Sequence, residues 1–180
     1  MLSAFSKSGH AGFSLVELLV GIAIMAILLG LAMPGFKTWL QNTQIRNAAE
    51  SIQNGLQRAR AEAVGRNTDV EFVLGASSSW TVRVVSSGEV VESRSGNEGS
   101  KDVTLAALDA DSAPATTVTF NNLGSVKAAN ADTTKPFTRV DLDSPVLAAA
   151  DSQELRVTIG FGGNVRMCDP NAPAGSPRVC

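Results

Sequence analysis

From Leu18 to Phe36 the chain runs for 19 residues without a charged side chain, mostly Leu, Ile, Ala, Val and Met. A helix of that length is about 28 Å long at ~1.5 Å per residue, close to the hydrocarbon thickness of a bilayer. Beyond it, Ile45, Ala48, Ile52, Leu56, Ala59 and Ala63 recur at steps of three and four. That is the apolar stripe of an amphipathic helix. Its other faces carry Lys37, Arg46, Glu50, Arg58, Arg60, Glu62 and Arg66, five basic residues against two acidic. Such a bias is ordinarily a solvated face, and otherwise a contact surface for anionic lipid or a neighbouring protein. Pro34-Gly35 predicts a kink or a melted turn, because proline lacks an N–H and glycine is flexible. Gly65 and Asn67 predict a stop near residue 66.

After the stop the period changes to two. Asp69–Leu74 and Trp80–Val85 alternate, are rich in β-branched residues and are separated by Gly75 and a serine run. They read as a hairpin. Glu89–Ser93, Thr117–Asn121, Thr138–Leu142, Glu154–Ile159 and Asn164–Met167 are further strand candidates. Many short strands with no helical pattern between them predict an antiparallel sheet or small sandwich, with the helix stripe packed on one face. The predicted fold class is therefore α+β. Arg94–Lys101 and Ala128–Pro136 are rich in turn residues and read as exposed loops. Gly160–Gly163 is not followed by a helical pattern and reads as a bend between strands.

Composition narrows the function classes. The 180 residues carry 15 basic and 17 acidic side chains, a net charge of -2. Bulk positive charge for nucleic-acid binding is absent, which leaves only a local patch. One His and two Cys argue against a metal centre or a His-dependent triad. There is no Tyr, and aromatics are 5%, which offers little for base stacking. No phosphate loop of the Walker kind is present. The carboxylates Asp109, Asp111, Asp141 and Asp143 read as solvated rather than as a cation site. No catalytic residue, metal or cofactor is predicted, and the chain is read as a non-enzyme.

The N-terminus admits three readings. Met1–Gly12 is short and polar, with Lys7 as its certain positive charge. With the apolar run it could form a cleaved secretory signal or a plain signal anchor. The run is long for a signal, and no clear small-x-small site precedes a polar start. Neither reading explains Glu17, since a carboxylate in lipid costs roughly 2.5–3.5 kcal/mol on insertion scales and needs a partner. The residues Gly12-Phe13-Ser14-Leu15-Val16-Glu17 resemble the type IV prepilin motif. The resemblance implies cleavage by a prepilin peptidase between Gly12 and Phe13, and N-methylation of Phe13. The apolar helix then stays in the mature chain. The free amine of Phe13 on one subunit can neutralise Glu17 on its neighbour, which makes Glu17 an assembly residue. The domain boundaries follow: leader 1–12, membrane-spanning half-helix 13–36, amphipathic half-helix 37–66 and β-rich domain 67–180.

The later chain resembles the GspH/FimT group of minor pilins and pseudopilins. The resemblance lies in Arg60-Ala-Glu-Ala63 near the helix end, the two Val-rich strands after it, and Gly163–Pro170 followed by Cys180. It implies a single-pass inner-membrane protein with its C-terminal domain in the periplasm, and on the cell surface once in a fibre. The implied partners are other minor and major pilins or pseudopilins, the prepilin peptidase and the inner-membrane assembly platform. Its role would be priming, capping or building a type IV pilus, or that of a pseudopilin in type II secretion. Outside the cytoplasm disulfides persist, so Cys168 and Cys180, enclosing eleven turn-rich residues, read as one bridge. A redox or metal pair would show Cys-x-x-Cys spacing or a nearby His, and neither is there.

Some FimT-type subunits bind DNA through a C-terminal Gly-Arg-x-Arg stretch. Its counterpart here is Gly163-Asn164-Val165-Arg166, with Asn in place of the first Arg. Arg166 and Arg178 are thus candidate DNA contacts for a receptor in natural transformation. The plainer reading is that Arg166 caps a strand edge or pairs with Asp169.

Overall fold

The apolar run and the amphipathic stripe belong to one helix. In the computed structural model, which describes residues 12–180, α1 spans Leu15–Arg66. Most of the predicted leader, with Lys7 and His10, lies outside the described residues. Residues 34 and 35 are helical, so the melted turn expected at Pro34-Gly35 does not form. Flanking apolar residues favour the helix there, since a helix is the one local way to satisfy backbone polar groups away from water.

The chain divides into two units, Met1–Lys37 and Thr38–Cys180. In the first, Leu15–Met33 is apolar and long enough to cross a membrane, with a mean hydropathy of 2.7. Its large side chains are exposed on every face. A helix apolar all round is stable only in lipid or among other apolar helices.

In the second unit the predicted stripe is the core face. Ile45, Ala48, Ile52, Leu56, Ala59 and Ala63 are fully buried, and Ala49 joins them. The helix ends as Asn67 adopts a positive φ of 51°. Thr68 N–H then reaches Ala63 O and Asn67 N–H reaches Val64 O, at 3.2 and 3.3 Å. This is the Schellman pattern, with Asn67 at the left-handed position. Gly65 remains helical.

Eight strands form two antiparallel four-stranded sheets. β1 is Val70–Leu74, β2 Trp80–Val84, β3 Val90–Arg94 and β4 Thr104–Leu108. β5 is Thr117–Phe120, β6 Arg139–Asp143, β7 Leu155–Ile159 and β8 Val165–Cys168. The orders are β3-β2-β1-β5 and β4-β6-β7-β8. Both sheets and the helix share one core, in which Phe72, Phe120, Phe137, Val140, Leu142 and Val157 are fully buried. The predicted α+β class, a long helix packed on antiparallel sheet, is the observed one.

The helix approaches β1 and β2 closely at Gly55. A Cβ there would lie 2.7 Å from the Phe72 ring and 3.0 Å from Trp80. Trp80 Nε1–H donates to the buried Ser51 Oγ at 2.8 Å, which satisfies both polar groups inside the core.

Three local expectations are corrected. β4 was not predicted: Thr-Leu-Ala-Ala-Leu lacks the alternation of a strand, and it pairs because β6 presents an open edge. The loops 94–101 and 128–136 are not wholly exposed. Ser78 and Ser100 are buried and share a 2.7 Å hydrogen bond, while buried Asn130 ties Thr119 Oγ1, Thr117 O and Thr134 Oγ1 together. Of the four acidic residues, Asp109 and Asp141 are structural rather than merely solvated, while Asp111 and Asp143 are exposed. Asp141 pairs with Arg156 directly across β6–β7, and Asp109 accepts from the backbone N–H of Asp111 and Ala113.

Candidate functional site

Two regions were singled out by sequence, one in each unit. At the N-terminal one, Ser14 caps α1. Its Oγ accepts from Glu17 N–H at 3.1 Å, and Leu18 N–H reaches Ser14 O at 3.2 Å. Glu17 thus stands three residues after the cap, the acidic position of a capping box, where the helix dipole favours negative charge. The motif places a helix start and a carboxylate together. Phe13, just before the cap, is 85% exposed. Glu17 is exposed too, and among the described residues no cation pairs with it. The local backbone therefore holds Glu17 at the helix start, with its side chain exposed.

The C-terminal region is built on β8. Cys168 at its end bonds to Cys180, with Cα atoms 5.1 Å apart. The intervening segment folds back so that Asp169 and Val179 form a parallel bridge. Asp169 N–H donates to Arg178 O at 2.7 Å. Arg166 Nη2 donates to Val179 O at 2.8 Å and Pro177 O at 3.4 Å. The expected pairing of Arg166 with Asp169 does not form. The guanidinium binds loop carbonyls instead, because the bridge brings residues 177–180 alongside β8. Arg178 is exposed and, among the described residues, its side chain makes no ion pair or hydrogen bond. The two candidate DNA contacts thus differ in kind: Arg166 holds the loop, and Arg178 is exposed and, among the described residues, unpaired.

The basic helix face is mostly spoken for. Arg58 pairs with Glu62 and Glu92, and Arg66 with Glu62 and Glu89. The Glu62 hydrogen bond, with that of Glu89, raises the Arg66 pKa above its ordinary value. Arg60 Nε donates to Gly124 O at 3.0 Å. At that point Gly163 has a φ of 75° and its absent Cβ would lie 2.0 Å from the same carbonyl, so only glycine fits. Sequence reading placed Arg60 on a solvated face and missed this contact, for which no local pattern exists.

The profile of the family described as type II transport protein GspH matches residues 48–163. The chain belongs to the GspH family. The match runs from the buried helix stripe to Gly163, and so ends before Arg166, Cys168, Arg178 and Cys180. A second profile, the prokaryotic N-terminal methylation motif, matches residues 7–33 and contains Gly12, Phe13 and Glu17. No curated protein shows a significant match. Two crystal structures of the type IV minor pilin FimU of Pseudomonas aeruginosa strain PAO1 are similar to this GspH-family chain. They are 17% and 15% identical, cover 73% of this chain and 93% and 98% of their own, and each has a TM-score of 0.49. Among the described residues no group of His, Cys, Asp and Glu is placed to hold a metal ion.

Proposed function

We propose that this GspH-family chain is a minor pilin subunit, a structural protein that primes, caps or builds a type IV pilus. The observation that carries the proposal is the N-terminal methylation motif over residues 7–33, which takes in the whole apolar segment Leu15–Met33. A prepilin peptidase cuts between Gly12 and Phe13 and methylates Phe13. The mature helix anchors the subunit once in the inner membrane, with the β-rich domain in the periplasm until assembly carries it into a fibre. The new Phe13 amine lies at the capped helix start that presents Glu17. In a stack of such helices it offers the carboxylate of a neighbour a cation, so two groups costly in lipid become one pair. Partners are other pilins, the peptidase and the inner-membrane assembly platform.

A second reading, a pseudopilin of a type II secretion system, is favoured by the description of the family itself as a transport protein. Both share the leader, helix and fold, and differ in the fibre they join. Edman sequencing or intact mass of the membrane-extracted protein tests the processing: an N-terminus other than N-methylated Phe13 overturns both readings. A clean deletion strain scored for surface pili and secreted proteins separates them. Loss of pili with normal secretion supports the pilus subunit, and stalled secretion with normal pili supports the pseudopilin.

A further inference from the structure

The C-terminal loop spends an unusual number of ties on one short stretch. Residues 177–180 are held by the Cys168–Cys180 bond, by Asp169 N–H on Arg178 O, and by Arg166 on Val179 O and Pro177 O. The one charged side chain in that stretch is Arg178. It lines a cavity of about 380 Å³ together with Arg46 from α1, over a floor that includes Leu155 and Met167. Neither arginine has an ion pair or a side-chain hydrogen bond among the described residues. Two acids of this region each accept a hydrogen bond from Asn171 and pair with neither arginine. Asp169, also on the lining, accepts from Asn171 N–H at 2.9 Å, and Glu154 accepts from the Asn171 side-chain amide at 3.1 Å. One asparagine thus contacts both acids, and neither acid pairs with Arg46 or Arg178, which line the same concave space. Holding Arg178 by its backbone lowers the entropy lost when its side chain meets a ligand.

We infer that Arg46 and Arg178 form a binding site for the carboxylates of an acidic segment on a neighbouring subunit of the fibre. The guanidinium fork matches a planar carboxylate in two parallel hydrogen bonds. The apolar floor accepts the stem of a Glu or the side chain beside it. A nucleic-acid backbone fits less well, because the site is a single concavity of about 380 Å³ rather than a groove that tracks a strand. The source of the segment rests on the proposed assembly role, whereas the chemistry of the site rests on the cavity alone.

The test is a titration of fluorescein-labelled hexaglutamate onto the full chain in non-ionic detergent, read by anisotropy. Saturable binding that falls with added salt is expected. Arg46→Gln and Arg178→Gln should each weaken it by up to about fivefold, the limit for one charge pair on a solvated rim. Arg94→Gln, an arginine already paired with Glu98, should leave it unchanged. Cys168→Ser/Cys180→Ser should weaken it as much as Arg178→Gln, because the stretch carrying Arg178 loses a tether. Thermal melting of each variant shows whether it is folded, and Arg46→Gln and Arg178→Gln alter only exposed side chains. Unchanged binding in both arginine variants overturns the site. A labelled thymidine heptanucleotide binding as tightly as hexaglutamate overturns its carboxylate character. The titration reads the cavity by itself, so its failure leaves the Phe13 N-terminus, tested separately, untouched.

Discussion

Single side chains in this protein do most of their work where a polar group must be satisfied. Trp80 and Ser51 are both buried and have each other as partner. Trp80→Phe keeps the ring packing but orphans the Ser51 hydroxyl, and should cost about 1–3 kcal/mol in chemical denaturation. Trp80→Ala adds a cavity and should cost about 3–5 kcal/mol. Glu17 poses the same problem in lipid. Glu17→Ala should still be cleaved after Gly12 yet be absent from sheared fibres, since the Phe13 amine loses its buried partner. Normal incorporation would remove the pairing argument. Asp132 gives a pH signature. A hydrogen bond from the Thr134 hydroxyl, with one from Thr134 N–H, lowers its pKa below the usual carboxylate range. A depressed folded pKa stabilises the protein above the unfolded value of about 3.9, and that contribution is lost as pH falls through the folded one. The melting-temperature gap between the parent and Asp132→Asn should therefore shrink between pH 6 and pH 2, values on the order of those where Asp titrates. A gap that widens on acidification would contradict the assignment.

Elements end and join here through backbone geometry. Asn67 closes α1 from a left-handed conformation, in which a Cβ residue without a local hydrogen bond is penalised by roughly 1–2 kcal/mol. Asn67→Ala should destabilise by about 1 kcal/mol, while Asn67→Gly should be nearly neutral except for the lost bond to Asn122. Equal losses in the two variants would show that the side-chain contact, not the turn, matters. The stop was legible in the sequence, although Gly65 was the wrong glycine to weigh beside Asn67. β4 was not legible. Its residues carry no period-two signal, and what makes them a strand is the free edge of β6, a long-range partner. The disulfide closes a loop of sequence separation 12, so the chain-entropy effect is on the order of 3 kcal/mol. The buried core lies mainly outside that loop. Reduction should therefore loosen residues 169–180 in hydrogen exchange while leaving protection of β1 and β2 intact.

For the whole molecule, the two units separate two problems. The apolar segment Leu15–Met33 exposes its side chains on all faces and needs lipid or other helices. Among the described residues, the unit Thr38–Cys180 contains the buried core, including the helix stripe from Ile45 to Ala63. Deleting residues up to Lys37 should therefore yield a protein that stays monomeric without detergent and retains near-ultraviolet dichroism from its buried Trp80. Aggregation or loss of that signal would show that the apolar helix supports the core. Polar helix residues clamp this unit too: Asn42 holds Asp151 O and Gln153 N–H, and Gln44 accepts from Asp102 N–H. The part of α1 from Thr38 onward is then part of this unit rather than a handle attached to it.

Periodicity and one short motif settled a great deal without any structure. Steps of three and four named the buried helix face residue by residue, alternation named seven of the strands, and Gly12–Glu17 pointed to the N-terminal methylation motif. These signals are local, so they survive in a linear reading. Tertiary structure alone decided which of the basic residues are available. Arg58 and Arg66 meet Glu92 and Glu89 from β3 and its approach, Arg60 meets the carbonyl of Gly124, and Arg166 meets the returning loop. Arg46 and Arg178 are brought to one cavity from positions 132 residues apart, as their numbers in the chain show. No sequence window contains such a pair. A charge is free or spent only in relation to groups that folding brings near, and that relation is long-range by nature.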